Sequence, residues 1–278
     1  MDNNMEKWVE KAIEGDREAL EYILTDIWDF VFNLSLRMLG SVADAEDATQ
    51  DILVKIMTSL STFRQESQFK TWVYRVATNY LIDYKKSMFA QHPLDFDFYA
   101  NDIRAGFIDF GEELFMGVDK KVLAEELKMS CTNVMLQCLD AQTRCIFILG
   151  TMFGVDSKMA GEILGMTPAN YRQKLSRARK KMAVFLSEHC GLSGGYCNCE
   201  KRVGYAIKQH RLHPKKLEFK ALKQLDHAVL TSCMESMEEI DELSTVFDEL
   251  PKYRSSLEVR RFLEQLLQSK QLKDVQRY

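Results

Sequence analysis

Residues 44–86 read DAEDATQDILVKIMTSLSTFRQESQFKTWVYRVATNYLIDYKK, two amphipathic helices joined by a polar elbow. In the first, Ala45, Ala48, Ile52, Ile56 and Leu60 recur at steps of three and four, the spacing of one buried helical stripe. Asp44, Asp47, Gln50 and Asp51 lie on the opposite face. Ser41, after Gly40, is placed to cap this helix, with the acids in its favourable first turns. In the second helix Phe69, Trp72, Val73, Val76, Ala77, Tyr80 and Tyr84 form a stripe, and Lys70, Arg75, Asn79, Asp83, Lys85 and Lys86 fall largely off it. The elbow, Thr62 to Gln68, holds Ser67 as the expected cap of the second helix. An acidic helix followed by a basic, aromatic-rich one implies two different partners, a protein for the first and a nucleic acid for the second.

Working outward, residues 6–39 read as helices broken at Gly15-Asp16, with apolar stripes Trp8, Val9, Ala12, Ile13 and Leu20, Ile23, Leu24, Ile27, Val31, Leu34, Met38. Residues 88–120 lack helical periodicity, are acidic and phenylalanine-rich, and read as an interdomain linker. Val122 to Leu139 is helical again. Cys131, Cys138 and Cys145 are spaced by seven, but one stripe cannot wrap a single ion over three turns, so they read as core filling. GVDSKMAGEILGMTPANYRQKLSRARKKM at 154–182 is a helix-turn-helix pattern: Asp156 caps the first helix, Gly165 ends it, Thr167 caps the second and Pro168 takes its permitted first position. The second helix carries Arg172, Gln173, Lys174, Arg177, Arg179, Lys180 and Lys181. Early residues of such a helix reach base edges in the major groove, and later bases hold phosphates.

The chain has 278 residues, enough for two or three domains, and its 46% hydrophobic and 28% charged content is that of an ordinary globular protein. Four prolines and thirteen glycines favour a mostly helical chain. A net charge of −4 does not announce a nucleic-acid binder, but the charge is segregated: residues 170–182 hold six bases and no acid, residues 95–119 seven acids and one base, and residues 233–250 seven acids and no base. No apolar run reaches the ~18 residues of a membrane span, and the charged N-terminus carries no signal peptide. The expectation is a cytoplasmic protein without membrane contact, whose seven cysteines are thiols or metal ligands rather than disulfides.

The stretch 44–86 resembles region 2 of bacterial sigma factors, most closely the extracytoplasmic-function (ECF) type of the sigma-70 family, and residues 154–182 resemble sigma region 4. The resemblance implies an all-α chain: a region 2-like domain at 1–88, an acidic linker at 89–120, a region 4-like helix-turn-helix domain at 121–188, and beyond the family core a helical C-terminal extension at 189–278. It implies that Asp47, Gln50 and Asp51 grip core RNA polymerase, whose β′ clamp and β flap are the family's docking sites, and that promoter DNA is the second partner. An anti-sigma factor is a further partner the family allows. Melting a promoter means unstacking bases and holding them on protein. Flipping a base costs a few kcal/mol, and aromatic faces return about 1–3 kcal/mol per stacked base. The minus-ten strand therefore falls to the elbow and second helix, with Arg64, Ser67, Lys70, Trp72, Tyr74, Arg75 and Asn79 as its residues. Arg75 and Asn79 offer paired groups to base edges. Trp72 sits on the apolar stripe, while Tyr74 lies off it and is the better exposed stacking residue. The upstream element falls to Thr167, Asn170, Arg172, Gln173, Lys174, Arg177 and Arg179. The chain departs from the family in having Ala160 where Ile is usual and Tyr171 where a small β-branched residue is usual, a volume exchange that keeps the core filled.

The extension opens with His189, Cys190, Cys197 and Cys199 in a glycine-rich loop. Soft ligands at this spacing suit zinc, with His189 or Cys190 joining Cys197 and Cys199 and His210 or His213 able to supply a fourth ligand. A thiol redox sensor is the alternative, because Lys201 and Arg202 favour thiolate. Lys201 to Gln209 reads as a basic helix broken by Pro214. Leu222, Leu225, Val229, Cys233, Met237, Ile240, Leu243 and Phe247 mark a long amphipathic helix, and Ser256 caps a last one. An acidic helix here would compete with DNA or polymerase until a metal or redox signal alters the loop. No G-x-x-x-x-G-K-[ST], H-E-x-x-H or G-x-S-x-G motif points to catalysis, and no catalytic residue is expected. The readings to decide between are a sigma factor and a stand-alone helix-turn-helix regulator of duplex DNA.

Overall fold

In the computed structural model the described residues are 3–84, 86–107, 111–224, 247, 250–255, 261–262 and 264–265. Gly15 and Asp16 separate the first two helices, α1 (Asn3–Ile13) and α2 (Arg17–Leu39), and the Asp16 carboxylate caps α2 by accepting from the Glu18 and Ala19 amides at 2.9 and 3.1 Å. Helix α2 is buried on all sides from Val31 to Leu39, so it is the central post around which the rest assembles. Gly40, in the left-handed conformation (φ 83°), ends it. Ser41 then caps α3 (Val42–Ser59) by accepting from the Asp44 amide at 3.1 Å, and a 3-10 turn at Leu60–Thr62 leads into the elbow and α4 (Phe69–Ile82). The expected cap of α4 is displaced by one residue. Gln68 takes that position and makes no side-chain capping bond, so Ser67 does not cap the helix.

The linker, read at 88–120 as lacking helical periodicity, is partly helical. It contains α5 (Met88–Gln91) and α6 (Phe96–Ala105), with a 3-10 turn at Glu112–Phe115. Asp95 caps α6 through the Phe98 amide at 2.7 Å. Phe96 and Tyr99 then lay their rings on Phe185, with centroids 4.9 and 6.0 Å away. Ten residues are too few for the periodicity to stand out, and the partner face comes from Phe185, nearly ninety residues later.

The second half runs through α7 (Lys120–Gln137) and α8 (Ala141–Phe147, capped by Asp140), a π-turn at Ile148–Met152, α9 (Ser157–Leu164) and α10 (Pro168–His189). Asp156 accepts from the Lys158 and Met159 amides, Gly165 stops α9 at φ 63°, and Thr167 accepts from the Asn170 amide at 3.2 Å, each as the sequence predicts. Cys138 and Cys145 are buried as core filling, and burial pushes both thiols up to about 12. The extension adds α11 (Cys199–Lys208) and the short α12 (Glu218–Ala221). Of the long amphipathic helix expected after Leu222, residues 225–246 lie outside the described residues, as do Ser256 and the last helix's Leu257, Val259, Leu263, Leu266 and Leu267.

The chain is all-α with two helical domains, matching the expectation, and the two pack directly on one another. A single apolar core runs from Val9 and Ile23 through Ile52 and Val73 to Ile146, Ala160 and Tyr171, so the α1–α4 bundle and the α7–α10 unit share one interior. Among the described residues no helix is long and apolar enough to cross a membrane.

Candidate functional site

Helix α3 presents its carboxylates as the periodicity requires. Asp47 and Asp51 are exposed and Gln50 is half-buried. The Tyr80 hydroxyl donates to Asp51 Oδ2 at 2.5 Å, and Lys86 Nζ stands 3.9 Å from the same oxygen. Burial, and next the bond to Asp51, raise the Tyr80 phenol above its ordinary range, so it stays a donor. Asp51 is thus oriented by Tyr80 of α4.

The elbow turns at Gln65 (φ 56°), whose amide reaches Glu10 at 3.0 Å. Arg64 and Lys70 are exposed and Ser67 is half-buried. Behind them Phe63, Phe69 and Trp72 form an aromatic cluster with centroids 5.6–5.9 Å apart. The expected exposures of the two large rings on α4 are reversed. Tyr74 is 4% exposed, packed on Phe30 at 4.2 Å, while Trp72 is half-buried and reaches the surface beside the elbow. The reason is that α4 is covered on a second side: α8 and α9 lie along it, and Phe30 also meets Phe153 at the end of the π-turn. Arg75 is exposed and donates from Nη2 to the Glu162 carbonyl of α9 at 3.1 Å, and Asn79 is exposed as well.

On α10 the residues Asn170, Arg172, Gln173 and Arg177 are exposed, with Thr167 capping the same end. Arg172 donates to Ser157 Oγ at 2.9 Å and Lys174 to Gln142 Oε1 at 3.5 Å, both across exposed positions. Arg179 is different. It is half-buried and donates to Thr151 Oγ1 and the Gly150 carbonyl at 3.1 and 3.0 Å, satisfying groups that the π-turn leaves open. The first two turns of α10 therefore form a solvent-facing basic edge that starts at the Thr167 cap.

The Cys/His loop follows α10 directly. His189 is 7% exposed, its Nδ1 3.2 Å from the Tyr196 hydroxyl and its ring 4.7 Å from that of Phe185. Cys190, Cys197 and Cys199 are half-buried. Among the described residues no three His, Cys, Asp or Glu side chains converge as metal ligands would, and His189 is engaged by Tyr196. As they stand, these side chains do not fit a metal centre. Thiolate is not favoured either. Burial pushes Cys197 and Cys199 up to about 11, and the nearby Arg202 is held by Asp102 at 3.0 Å.

The comparisons agree with this geometry. A family model for sigma-70 region 2 matches residues 28–88, which span α2 to α4, and one for sigma-70 region 4 matches residues 131–182, which include the helix-turn-helix. The chain belongs to the sigma-70 family. It is similar to the ECF RNA polymerase sigma factor SigW of Bacillus subtilis, 25% identical over 184 residues, 66% of this chain and 96% of SigW. It is also similar to the RNA polymerase sigma-H factor of Pseudomonas aeruginosa, 23% identical over 172 residues (62% of this chain, 88% of the other). A third relative is the ECF RNA polymerase sigma-E factor of Haemophilus influenzae, 27% identical over 175 residues (62% and 89%).

Sequence reasoning passed over the polar residues inside this sigma factor. Asn33 and Arg37 sit four apart in the apolar run of α2, both 2% exposed, and Asn133 and Gln137 repeat the spacing on α7. Arg37 donates to Asn133 Oδ1 at 2.8 Å and to the Pro251 carbonyl at 2.6 Å, and burial lowers its guanidinium to about 10. Asp102 likewise sits buried in the acidic linker, paired with Arg202 and Arg211 of the extension. The available signal was a polar residue on an otherwise apolar stripe, which requires a buried partner.

Proposed function

We infer that this chain is a transcription-initiation factor of the ECF type that binds core RNA polymerase and directs it to promoters, without catalytic activity of its own. The observation that carries the reading is the order of three surfaces on one chain: an acidic face on α3, an aromatic-backed basic elbow at the start of α4, and a capped basic edge on α10. In this reading Asp47, Gln50 and Asp51 meet the β′ clamp of the polymerase, and the region 4 unit rests on the β flap. Arg64, Ser67, Lys70, Trp72 and Asn79 receive the melted minus-ten strand, joined by Arg75 once its contact with Glu162 is released. Thr167, Asn170, Arg172, Gln173, Lys174 and Arg177 read the upstream duplex, with Arg179 bracing the helix that does so. Cations along the backbone path supply salt-dependent affinity and base-edge contacts supply choice. A stand-alone duplex regulator would leave α3 and the elbow without a task. The protein works in the cytoplasm, where core polymerase and DNA are found.

Binding of labelled core polymerase tests the docking face. Reversing both charges, Asp47→Lys with Asp51→Lys, places like charges against a cationic partner, which costs several kcal/mol. The expected outcome is at least about a tenfold loss of affinity (1.4 kcal/mol per tenfold) with unchanged helical content. Unchanged affinity overturns the assignment of this face. Zinc binding by Cys190, Cys197 and Cys199 is a separate proposal that rests on ligand chemistry alone and requires the thiols to swing together. Close to one equivalent of zinc in the purified chain supports it, and a value well below one removes it.

A further inference from the structure

The seam between the two halves of the molecule has two layers. In the first, helices meet directly. Gln137 donates to the Arg37 carbonyl at 3.3 Å and Arg144 donates to the Met38 carbonyl at 2.6 Å, which ties α7 and α8 to the C-terminal end of α2. Arg75 of α4 reaches the Glu162 carbonyl of α9 on the other side.

The second layer is supplied by the extension. Residues 250–254 run past α2, and the Asn33 amide pairs with the Tyr253 backbone in both directions: Nδ2 donates to the Tyr253 carbonyl at 2.7 Å, and the Tyr253 amide donates to Oδ1 at 2.8 Å. One end of the Arg37 guanidinium holds the Pro251 carbonyl while the other holds Asn133 of α7. One buried cation therefore spans region 2, region 4 and the extension. The Tyr253 ring, 1% exposed, enters an apolar cluster with Phe32, Leu36 and Ala45 of region 2 and Phe219 and Leu222 of the extension. The segment is fixed from behind as well. Arg254 donates its amide to the Lys223 carbonyl at 2.7 Å, and Glu126 of α7 accepts from the Phe219 and Lys220 amides at 2.8 and 2.9 Å.

We propose that residues 250–254 are a strap that fastens the region 4 unit to the region 2 bundle, holding the factor in a shut form in which one side of α4 is covered by α9. This rests on the sigma-factor reading above. The Glu162 carbonyl turns the Arg75 side chain toward α9 and takes up one of its Nη2 donors, and Tyr74 in the interior does not stack on a base. The acidic face of α3 lies outside the seam, with Asp47 and Asp51 exposed, so the shut form still presents its polymerase-docking surface. The strap thus separates two steps, admitting docking and delaying strand capture. Its removal leaves Asn33 and one end of Arg37 against apolar surface without those partners, which weakens the seam as a unit.

The test compares the full chain with Asn33→Ala, Tyr253→Ala and the double variant, which break one contact from opposite sides. Small-angle scattering reads the opening, and transcription with core polymerase on a promoter carrying a pre-opened bubble reads the release of α4. Each single variant is expected to raise the radius of gyration. Each is also expected to raise the initial transcription rate about tenfold, the factor that follows if about a tenth of the wild-type molecules are open. The double variant should do no more than either single one, because the two residues act through one contact. If Tyr253→Ala loses helical content, Asn33→Ala decides the matter alone. Unchanged size and rate in the folded variants, or effects that add, overturn the strap while leaving the sigma-factor reading intact. Opening without transcription from any form overturns the sigma-factor reading and leaves the strap.

Discussion

Tyr171 occupies the place where the family carries a small residue, and the structure shows how the chain accommodates it. The ring is 1% exposed, Ala160 opposite in the sequence pattern is fully buried, and the Tyr171 hydroxyl donates to the Ile146 carbonyl at 3.3 Å. Gly150 completes the fit, since a Cβ there would come within 2.6 Å of that hydroxyl. Tyr171→Val removes the ring and the hydroxyl's bond, and is expected to cost about 2–4 kcal/mol, read as a lowered urea midpoint; a neutral result refutes the volume exchange. Burial also raises five thiols: Cys131, Cys197 and Cys199 to about 11, Cys138 and Cys145 to about 12. A raised acid favours the native state while it is protonated in both states. That contribution is complete below the unfolded value near 9 and is lost as pH rises through the folded values. Under reducing conditions the unfolding midpoint is expected to fall between pH 9 and 10, and a midpoint that rises there contradicts the burial of these thiols. Single-residue exposure was the least legible level. The stripe on α4 names one buried side correctly, but Tyr74 is buried by α8, α9 and Phe30, which no local spacing reveals.

At the scale of elements, capping chemistry was readable because it is local. Ser41, Asp156 and Thr167 cap as their positions dictate, each through a bond spanning two or three residues, whereas Ser67 does not. Thr167→Ala is expected to cost about 1 kcal/mol and to weaken upstream-duplex binding by fraying the turn that carries Asn170, checked by thermal melting and duplex titration. Helix α6 escaped notice because what holds it is remote: Phe185 under its rings, and Arg202, Tyr205 and Arg211 around Asp102. The negative charge of the linker is therefore partly structural. Asp102→Ala leaves Arg202 buried without its carboxylate and is expected to destabilise the chain by about 3–5 kcal/mol. A loss below 1 kcal/mol in chemical unfolding would show that the pair contributes only as a surface contact does.

The whole molecule was legible in its parts and not in their assembly. The family resemblance implied an all-α chain, and periodicity placed the acidic, aromatic-basic and helix-turn-helix surfaces in the right order. It could not show that Asn33 and Asn133 belong to one seam, because Arg37 joins residues about a hundred positions apart on one side and two hundred on the other. The arrangement that results covers part of the strand-binding helix while leaving the docking face free. The most direct test of the central claim is permanganate footprinting of promoter thymines with core RNA polymerase. The arms are core alone, core with the wild-type chain, core with Tyr253→Ala, and core with Tyr253→Ala plus Arg75→Ala. Reactive thymines are expected only where the chain and core are both present, with Arg75→Ala reducing the signal about tenfold, as loss of one base-edge contact implies. No reactive thymines in any arm, together with tight duplex binding by the chain alone, would contradict the account.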